Sequence, residues 1–158
     1  MKVKVGLGQD SHAFDQGDKN KKLVLAGIVF HGSVGLKGNS DADVVLHALT
    51  NSISSITGKN IIGKISDDMC RNGITNSGEY LKEALKYLHD YTITHISISL
   101  ECKKPQITPK IEEMKLSLSR IFSIDVGDIG ITATTGEGLT EFGRGKGIQV
   151  LSIITVMG

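Results

Sequence analysis

Two hydrophobic periodicities alternate along the chain, and this alternation restricts the fold more than any other feature of the sequence. Apolar residues recur at every second position in residues 2 to 14, which is the spacing of a half-buried strand. Residues 42 to 57 instead carry an apolar stripe at helical spacing. A chain that mixes both patterns buries its sheet under helices, so we expect an α/β fold, an α+β sandwich whose mixed β-sheet has helices packed on one face.

The same patterns, together with capping and turn residues, predict the other elements. Ser40 and Asp41 are good N-caps for the helix over residues 42 to 57, which should end near Gly58. The further predicted elements are a strand from Leu23 to Phe30, a helix capped by Ser77 and reaching about Tyr91, a strand from Ile93 to Glu101, a helix opened by Thr108 and Pro109, and strands from about Ile129 to Thr135 and Ile148 to Val156.

Size and charge exclude several classes of protein. The 158 residues suffice for one domain with a hydrophobic core, which we place at residues 1–158. With 18 Lys and Arg against 17 Asp and Glu, the chain has no global field for nucleic acid or an anionic membrane. No apolar run approaches the roughly 20 residues of a membrane span, and no signal peptide is visible at the start. Cys70 and Cys102 form no CxxC pair, so we expect a cytoplasmic protein with reduced thiols.

A possible metal site begins in the first strand. Asp10 and His12 lie two positions apart, so their side chains share one face of the strand and can chelate a single ion. That face is opposite the one bearing Val3, Val5 and Leu7, which we expect to contact the core. A surface or hydrogen-bonding role is the alternative for this pair.

His47 strengthens the interpretation as a metal site. It lies nearly opposite the apolar stripe of the helix over residues 42 to 57, where a core histidine is not expected. Together with Asp10 and His12 it makes a set of two imidazoles and one carboxylate, which suits zinc with one open coordination position. The other histidines have no comparable partners in the sequence.

Two glycine-rich stretches have the composition of phosphate-binding loops. In GLKGNSDADVV, Asn39, Ser40 and Asp41 place free backbone N–H groups at a helix N-terminus, which attracts phosphate; the alternative is an ordinary capped helix. In ATTGEGLTEFGRGKG, a set of hydroxyl, carboxylate and guanidinium groups can hold a diphosphate and its metal; the alternative is a hairpin turn. The members of this second set are Thr134, Thr135, Glu137 and Arg144.

Four motifs in order, GQDSHAF, NSDADVVLHAL, KPQITPKI and ATTGEGLTEFGRGKG, resemble the 2-C-methyl-D-erythritol 2,4-cyclodiphosphate synthase family from about Val5 to Val156. The resemblance implies a homotrimer with its sheets inside and active sites at the subunit interfaces. It also implies a cytidine diphosphate substrate, 4-diphosphocytidyl-2-C-methyl-D-erythritol 2-phosphate. The 2-phosphate oxygen of that substrate displaces CMP from the β-phosphorus and closes a cyclic diphosphate, a reaction of the non-mevalonate route to isoprenoids.

The resemblance also assigns roles to individual residues. Asp10, His12 and His47 would hold Zn²⁺, and Glu137 would hold Mg²⁺ or Mn²⁺ bridging the substrate diphosphate. Asn39 and Thr135 would act in catalysis. The implied substrate-binding residues are Asn39, Ser40, Ile61, Gly63, Asp67, Asp68, Cys102, Gln106, Ile107, Thr134, Thr135, Glu137 and Arg144.

Several positions depart from the family pattern. Asn39 replaces a histidine, Ile61 an aspartate that grips the ribose, and Gln106 a lysine of the cytidine pocket. The segment from Ser66 to Asp68 replaces FPDTD around the erythritol hydroxyls. The metal ligands are intact whereas the nucleotide and polyol contacts are altered, so we interpret the chain as a divergent member that keeps the activity.

Two other functions use the same residues. A metal-dependent phosphohydrolase would activate water instead of positioning an internal phosphate, and it would release inorganic phosphate from nucleotides. A non-catalytic trimer would bind isoprenoid diphosphates in a central cavity through Arg144 and would not turn over the cytidine substrate.

Overall fold

The computed structural model describes all 158 residues and contains six strands and four α-helices. In chain order these are β1 (Val3–Ala13), β2 (Leu23–Leu25), β3 (Ile28–Phe30), α1 (Val44–Thr57), α2 (Lys64–Arg71), α3 (Ser77–Leu85), β4 (Thr92–Glu101), α4 (Ile111–Phe122), β5 (Ile129–Thr134) and β6 (Gly147–Met157). Short 3-10 helices occupy Thr108–Lys110, Val126–Asp128 and Gly136–Gly138. No helix has both the length and the apolar character needed to cross a membrane.

Four strands form one mixed sheet in the order β1-β6-β4-β5. The pairs β1 with β6 and β4 with β6 are antiparallel, while β4 and β5 are parallel. The parallel pair needs a long crossover, which α4 supplies as it packs against β5. The prediction of a mixed sheet is therefore confirmed.

All sheet-packing helices lie on the same face of the sheet. Gly6 pairs with Ile154 and Ile154 with Ile96, so these buried residues of three strands point to one side, and Ile129 continues the row on β5. Helix α1 packs on this side against β1 and β6, and α4 packs against β5. The buried apolar residues form a single cluster of 32 side chains between sheet and helices.

The core-facing side of β1 is the reverse of the one predicted. Val5 and Leu7 are about 60% exposed, and Val3 likewise faces solvent. The buried positions of the strand are Gly6 and Gly8, where a methyl group would overlap backbone carbonyl oxygens of α1. Because the helix backbone lies directly on the strand, only glycine fits there, and the apolar side chains of β1 belong to the opposite face of the sheet.

The caps of α1 and α3 also differ from those predicted. Helix α1 begins at Val44 and is capped by Asp43, whose side chain accepts a hydrogen bond from the backbone N–H of Leu46. Helix α3 is capped by Asn76, not by Ser77, and ends at Leu85, six residues before Tyr91. Its predicted C-terminal part forms turns that lead into β4.

Two further segments differ from the expectations drawn from the sequence. The strand expected from Leu23 to Phe30 is a hairpin of two three-residue strands, β2 and β3, whose turn residues Ala26 and Gly27 both have positive φ. Helix α2 was not predicted at all. Its eight residues are mainly polar, and its apolar stripe consists only of Ile65 and Met69, which is too short to indicate a helix in the sequence.

Candidate active site and metal centre

The three residues predicted as metal ligands meet where β1 faces α1. The Nε2 atom of His12 lies 3.0 Å from Oδ2 of Asp10, and Nδ1 of His47 lies 3.1 Å from the same oxygen. The two imidazole nitrogens are 3.3 Å apart. Three potential ligand atoms thus form a nearly equilateral triangle, in which β1 supplies two corners and α1 the third.

This triangle fits a tetrahedral divalent cation. Zinc bonds of about 2.0–2.2 Å at tetrahedral angles place ligand atoms roughly 3.3–3.6 Å apart, close to the separations between these three atoms. Two nitrogens and one oxygen make a donor set typical of zinc sites that retain an open position. The residues present therefore fit a divalent metal ion.

Hydrogen bonds on the outer side of each imidazole orient the rings toward this point. Nδ1 of His12 is 2.8 Å from the carbonyl oxygen of Lys37, so it donates and directs Nε2 toward Asp10. Nε2 of His47 is 2.8 Å from the hydroxyl of Ser77. Each ring thus uses one nitrogen for support and presents the other to the ligand triangle.

The electrostatics of the cluster favour a bound cation. Burial on its own would raise the pKa of the Asp10 carboxyl, but hydrogen bonds and charge interactions with His12 and His47 outweigh it and lower this pKa to about 2. The hydrogen bond to Asp10 in turn raises the pKa of His12 above the ordinary imidazole value. Asp10 therefore stays ionised near neutral pH, and protons and metal ions compete for the same atoms.

The metal ligands open into a cavity of about 210 Å³. Residues of the glycine-rich segment before α1 form one wall, and the N-terminal end of α2 forms another. Four residues predicted as substrate contacts line this cavity together with the ligand triangle; they are Asn39, Ser40, Gly63 and Asp67. The structure therefore brings the predicted metal site and the predicted phosphate loop into one space.

Two residues predicted as substrate contacts lie elsewhere. Ile61 is completely buried in the hydrophobic core, and its carbonyl oxygen accepts a hydrogen bond from the backbone N–H of Ser66. Contact between this residue and a substrate stays a prediction from the resemblance. Asp68 does not line the cavity and forms ion pairs with Lys64 and Arg71 along α2, at 2.7 and 2.6 Å.

A second cavity of about 320 Å³ lies at the carboxyl ends of β4 and β5. Five of the predicted substrate contacts line it; they are Cys102, Gln106, Ile107, Thr134 and Thr135. Burial raises the pKa of the Cys102 thiol to about 11, so this cysteine is a neutral wall residue and no thiolate nucleophile. Within one chain this cavity shares no lining residue with the metal cavity.

The loop after β5 carries the two remaining predicted residues. Glu137 is exposed within the 3-10 turn Gly136–Gly138 and lines neither of the two cavities. Arg144 pairs with Glu141 at 2.8 Å and borders a cavity of about 520 Å³, which shares the lining residues Lys103, Pro105 and Gln106 with the Cys102 cavity. Arg144 therefore lies beside the Cys102 cavity and does not line the metal cavity in the single chain.

Three residues that support the site were not predicted as site residues from the sequence, where Ser77 was expected only as a helix cap. Ser77 contacts His47 from thirty positions away, and Tyr80 lines the metal cavity. Glu101 accepts a hydrogen bond of 2.6 Å from Thr140 and so fixes the loop that carries Glu137. No local sequence pattern links residues that are so far apart along the chain. Asp10 and His12, in contrast, are only two positions apart, so their spacing could be read from the sequence.

Fold and site together define a class. The chain is a mixed α/β protein with an Asp-His-His metal site between its sheet and its first long helix, beside a cavity walled by a glycine-rich loop. The family model described as "YgbB family" matches residues 3–157, so the chain belongs to the YgbB family.

Similar proteins agree with this membership. The chain is 44% identical over 156 residues to 2-C-methyl-D-erythritol 2,4-cyclodiphosphate synthase of Chlamydia felis, covering 98% of this chain and 89% of that protein. A solved structure of 2C-methyl-D-erythritol-2,4-cyclodiphosphate synthase is 29% identical with a TM-score of 0.86, covering 98% of this chain and 100% of that one. The CDP complex of IspF from Plasmodium falciparum is 26% identical with a TM-score of 0.83, covering 98% and 96%.

Proposed function

We propose that this chain is a 2-C-methyl-D-erythritol 2,4-cyclodiphosphate synthase. It would convert 4-diphosphocytidyl-2-C-methyl-D-erythritol 2-phosphate to the cyclic diphosphate and CMP in the non-mevalonate isoprenoid pathway. Near-full-length similarity to enzymes of that name supports the reaction. A cytoplasmic location fits the same pathway.

One observation carries the proposal. The oxygen of Asp10 and the nitrogens of His12 and His47 converge within 3.3 Å of one another at the edge of the cavity that Asn39 and Ser40 line. A cation site beside backbone N–H groups is suited to a phosphate group under attack. The departures at Asn39 and Gln106 leave this arrangement in place.

The reaction needs no nucleophile from the protein. The oxygen of the 2-phosphate attacks the β-phosphorus, the bond from that phosphorus to its bridging oxygen breaks, and CMP leaves with the electron pair. Asn39 and Ser40 would hold the phosphate that is attacked, and Thr134 and Thr135 would hold the phosphate of the leaving CMP. The contribution of these residues is orientation and electrostatic stabilisation of the transition state.

Two metal sites would support this chemistry. Asp10, His12 and His47 would hold zinc, and Glu137 would hold magnesium or manganese. When bound, these cations neutralise the charge that develops on the diphosphate oxygens. The exposed carboxylate of Glu137, held on a loop that Glu101 braces through Thr140, is free for such a role.

A homotrimer would complete the site. The metal cavity and the Cys102 cavity share no residue within one chain, which supports a site in which one subunit supplies the metal cavity and its neighbour the Cys102 cavity. The sheet face opposite the helices exposes a row of large apolar side chains that three chains could bury with their sheets inside. These side chains are Val3, Val5, Leu7, Leu151 and Ile153.

Mass spectrometry of a single reaction tests the proposed function. Purified protein is incubated with the cytidine substrate, zinc and magnesium, and the products are identified. We expect equal amounts of CMP and the cyclic diphosphate. The control is the same reaction with a chelator, which should abolish both products.

The same assay discriminates the alternatives. Inorganic phosphate appearing without any cyclic product would indicate a metal-dependent phosphohydrolase. Intact substrate together with tight binding of isoprenoid diphosphates would indicate a non-catalytic trimer. Either result would overturn the proposed synthase activity.

A further inference from the structure

The support of His47 extends beyond Ser77. The hydroxyl of Ser77, which contacts Nε2 of His47 at 2.8 Å, also hydrogen bonds to a carboxylate oxygen of Asp41. His47 and Ser77 are buried, and Asp41 is partly buried. A chain of three polar groups therefore leads from the metal ligand triangle to the glycine-rich segment that precedes α1.

The donors and acceptors among His47, Ser77 and Asp41 can be assigned from the chemistry of the three groups. An ionised carboxylate only accepts hydrogen bonds, so the hydroxyl of Ser77 must donate its single hydrogen to Asp41. The oxygen of Ser77 can then only accept from His47, and the hydrogen of the imidazole must be on Nε2. Nδ1 can then offer its lone pair to a metal ion. Without the metal, a second hydrogen on Nδ1 can donate to Asp10 at 3.1 Å, and Nε2 keeps its hydrogen in either form.

Helix capping does not account for the Ser77 hydroxyl. Asn76 already caps α3 and accepts a hydrogen bond of 2.8 Å from the backbone N–H of Gly78. The hydroxyl of Ser77 makes contacts only with His47 and Asp41. The hydroxyl therefore supports the predicted metal ligand His47 and does not cap α3.

Asp41 connects the hydrogen bonds of His47 and Ser77 to the loop that lines the metal cavity. Its carboxylate accepts hydrogen bonds from the backbone N–H groups of Asp43, at 3.1 Å, and Ser77, at 3.2 Å. Asp41 directly follows Asn39 and Ser40, which line the cavity beside the ligand triangle. One carboxylate thus fixes the loop, the start of α1 and the support of His47 at once.

We propose that Ser77 and Asp41 are positioning residues of the metal site: they hold His47 in its Nε2–H tautomer and couple the metal ligands to the loop of Asn39 and Ser40. This inference rests on metal binding by Asp10, His12 and His47, and it is independent of the reaction that the site catalyses. Neither residue belongs to the ligand triangle or lines the metal cavity.

Zinc affinity and the His47 tautomer test the proposal without any substrate. Zinc dissociation constants are measured by competition with a chelator, and the presence of a hydrogen on Nε2 is read from the ¹⁵N shifts of His47 in metal-free protein. Ser77→Ala should weaken zinc binding by about 10- to 100-fold, as expected when a supporting partner of a ligand is lost, and should populate both tautomers. Excess zinc should restore occupancy.

Two further variants complete the test. Ser54→Ala is the matched control, because Ser54 is a buried serine of α1 whose hydroxyl has no hydrogen-bond partner. It should leave zinc affinity and the tautomer unchanged. Asp41→Asn places an amide hydrogen against one of the donors that now surround the carboxylate, so it should weaken zinc binding in the same direction as Ser77→Ala.

The proposal is overturned if Ser77→Ala retains the zinc affinity of the parent and a fully protonated Nε2 of His47. If Ser77→Ala does not fold, Asp41→Asn decides by the same two measurements. A protein that binds zinc as expected but makes no cyclic diphosphate would contradict the proposed function alone. A protein in which all variants bind zinc equally would contradict this inference alone.

Discussion

His47 is a buried residue of α1 whose two ring nitrogens face different partners, Nδ1 toward Asp10 and Nε2 toward Ser77. Removing its imidazole takes one of three ligands from the proposed zinc site. His47→Ala should therefore lower zinc affinity by more than about 100-fold and abolish nearly all turnover, while the fold persists. Zinc content by atomic absorption and the secondary structure by circular dichroism check this.

His89→Ala is the control for that substitution, because His89 is exposed and distant in sequence from the ligand set. It should bind zinc like the parent. Full zinc occupancy in purified His47→Ala would remove His47 from the ligand set.

Asp43 gives a prediction of how the stability of the folded protein depends on pH. Its carboxylate is fully buried and accepts backbone hydrogen bonds from Ala26, Gly27 and Leu46, but burial dominates and raises its pKa from 3.8 to about 6. The folded state therefore binds a proton more tightly than the unfolded state. The resulting stabilisation is fully present below about pH 4 and is lost as the pH rises through 6.

Denaturant unfolding of the parent and of Asp43→Asn between pH 4 and 7 measures this effect. Over that range the free energy of unfolding of the parent should fall, relative to the variant, by at most about 3 kcal/mol, since each unit of pKa shift is worth about 1.4 kcal/mol. A parent that gains stability relative to Asp43→Asn as the pH rises would show that the raised pKa is wrong.

At the scale of elements, the contact between β1 and α1 sets the position of both metal-ligand segments. A methyl group on Gly8 would overlap the carbonyl oxygen of Ala48 in the helix backbone. Gly8→Ala should therefore push α1 away from the strand and destabilise the protein by about 1–3 kcal/mol or more. The same displacement separates His47 from Asp10, so zinc affinity should fall as well.

Thermal unfolding and zinc titration of Gly8→Ala test this prediction. Gly17→Ala is the control, because the nearest atom to an added methyl group there is a side-chain oxygen 3.6 Å away. Equal melting temperatures for the two variants would mean that the helix and strand adjust without cost.

At the scale of the whole molecule, the uncovered sheet face is the surface that assembly would bury. Ile153 is 41% exposed on this face, next to Leu7 of the neighbouring strand. A carboxylate in an apolar interface is costly to desolvate, so Ile153→Glu should convert the proposed trimer into smaller species. Analytical ultracentrifugation measures the change.

Leu116→Glu provides the matched control, since Leu116 is 51% exposed on the helical side of the molecule. It should sediment like the parent. A trimer that survives Ile153→Glu would place the subunit interface elsewhere.

The proposed active site, which two neighbouring subunits form together, gives a second prediction for the whole molecule. Two inactive variants, His47→Ala and Glu137→Ala, should rescue each other when they are co-expressed. In a mixed trimer, one of the three interfaces unites an intact zinc half with an intact nucleotide half, so activity should approach about one third of the parent value. Mixed trimers that are verified by mass spectrometry yet inactive would mean that each subunit carries a complete site.

Much of this molecule follows from short-range patterns in the sequence. The spacing of Asp10 and His12 on one strand, and the helical position of His47, were enough to predict the ligand triangle that the structure contains. The strands β4, β5 and β6 and the helix α4 also lie close to their predicted positions. Such features depend on neighbours along the chain, and periodicity reports them directly.

Only the tertiary structure decided which face of β1 meets the core and what supports His47. The sequence shows that Val5 and Gly6 point to opposite faces of β1. It does not show that the backbone of α1 lies so close to Gly6 that no larger side chain fits there. Likewise Ser77 reaches His47 across thirty positions because α1 and α3 pack together. A periodic pattern identifies two faces of an element, whereas the distance between packed backbones determines which face is buried and which distant groups can meet.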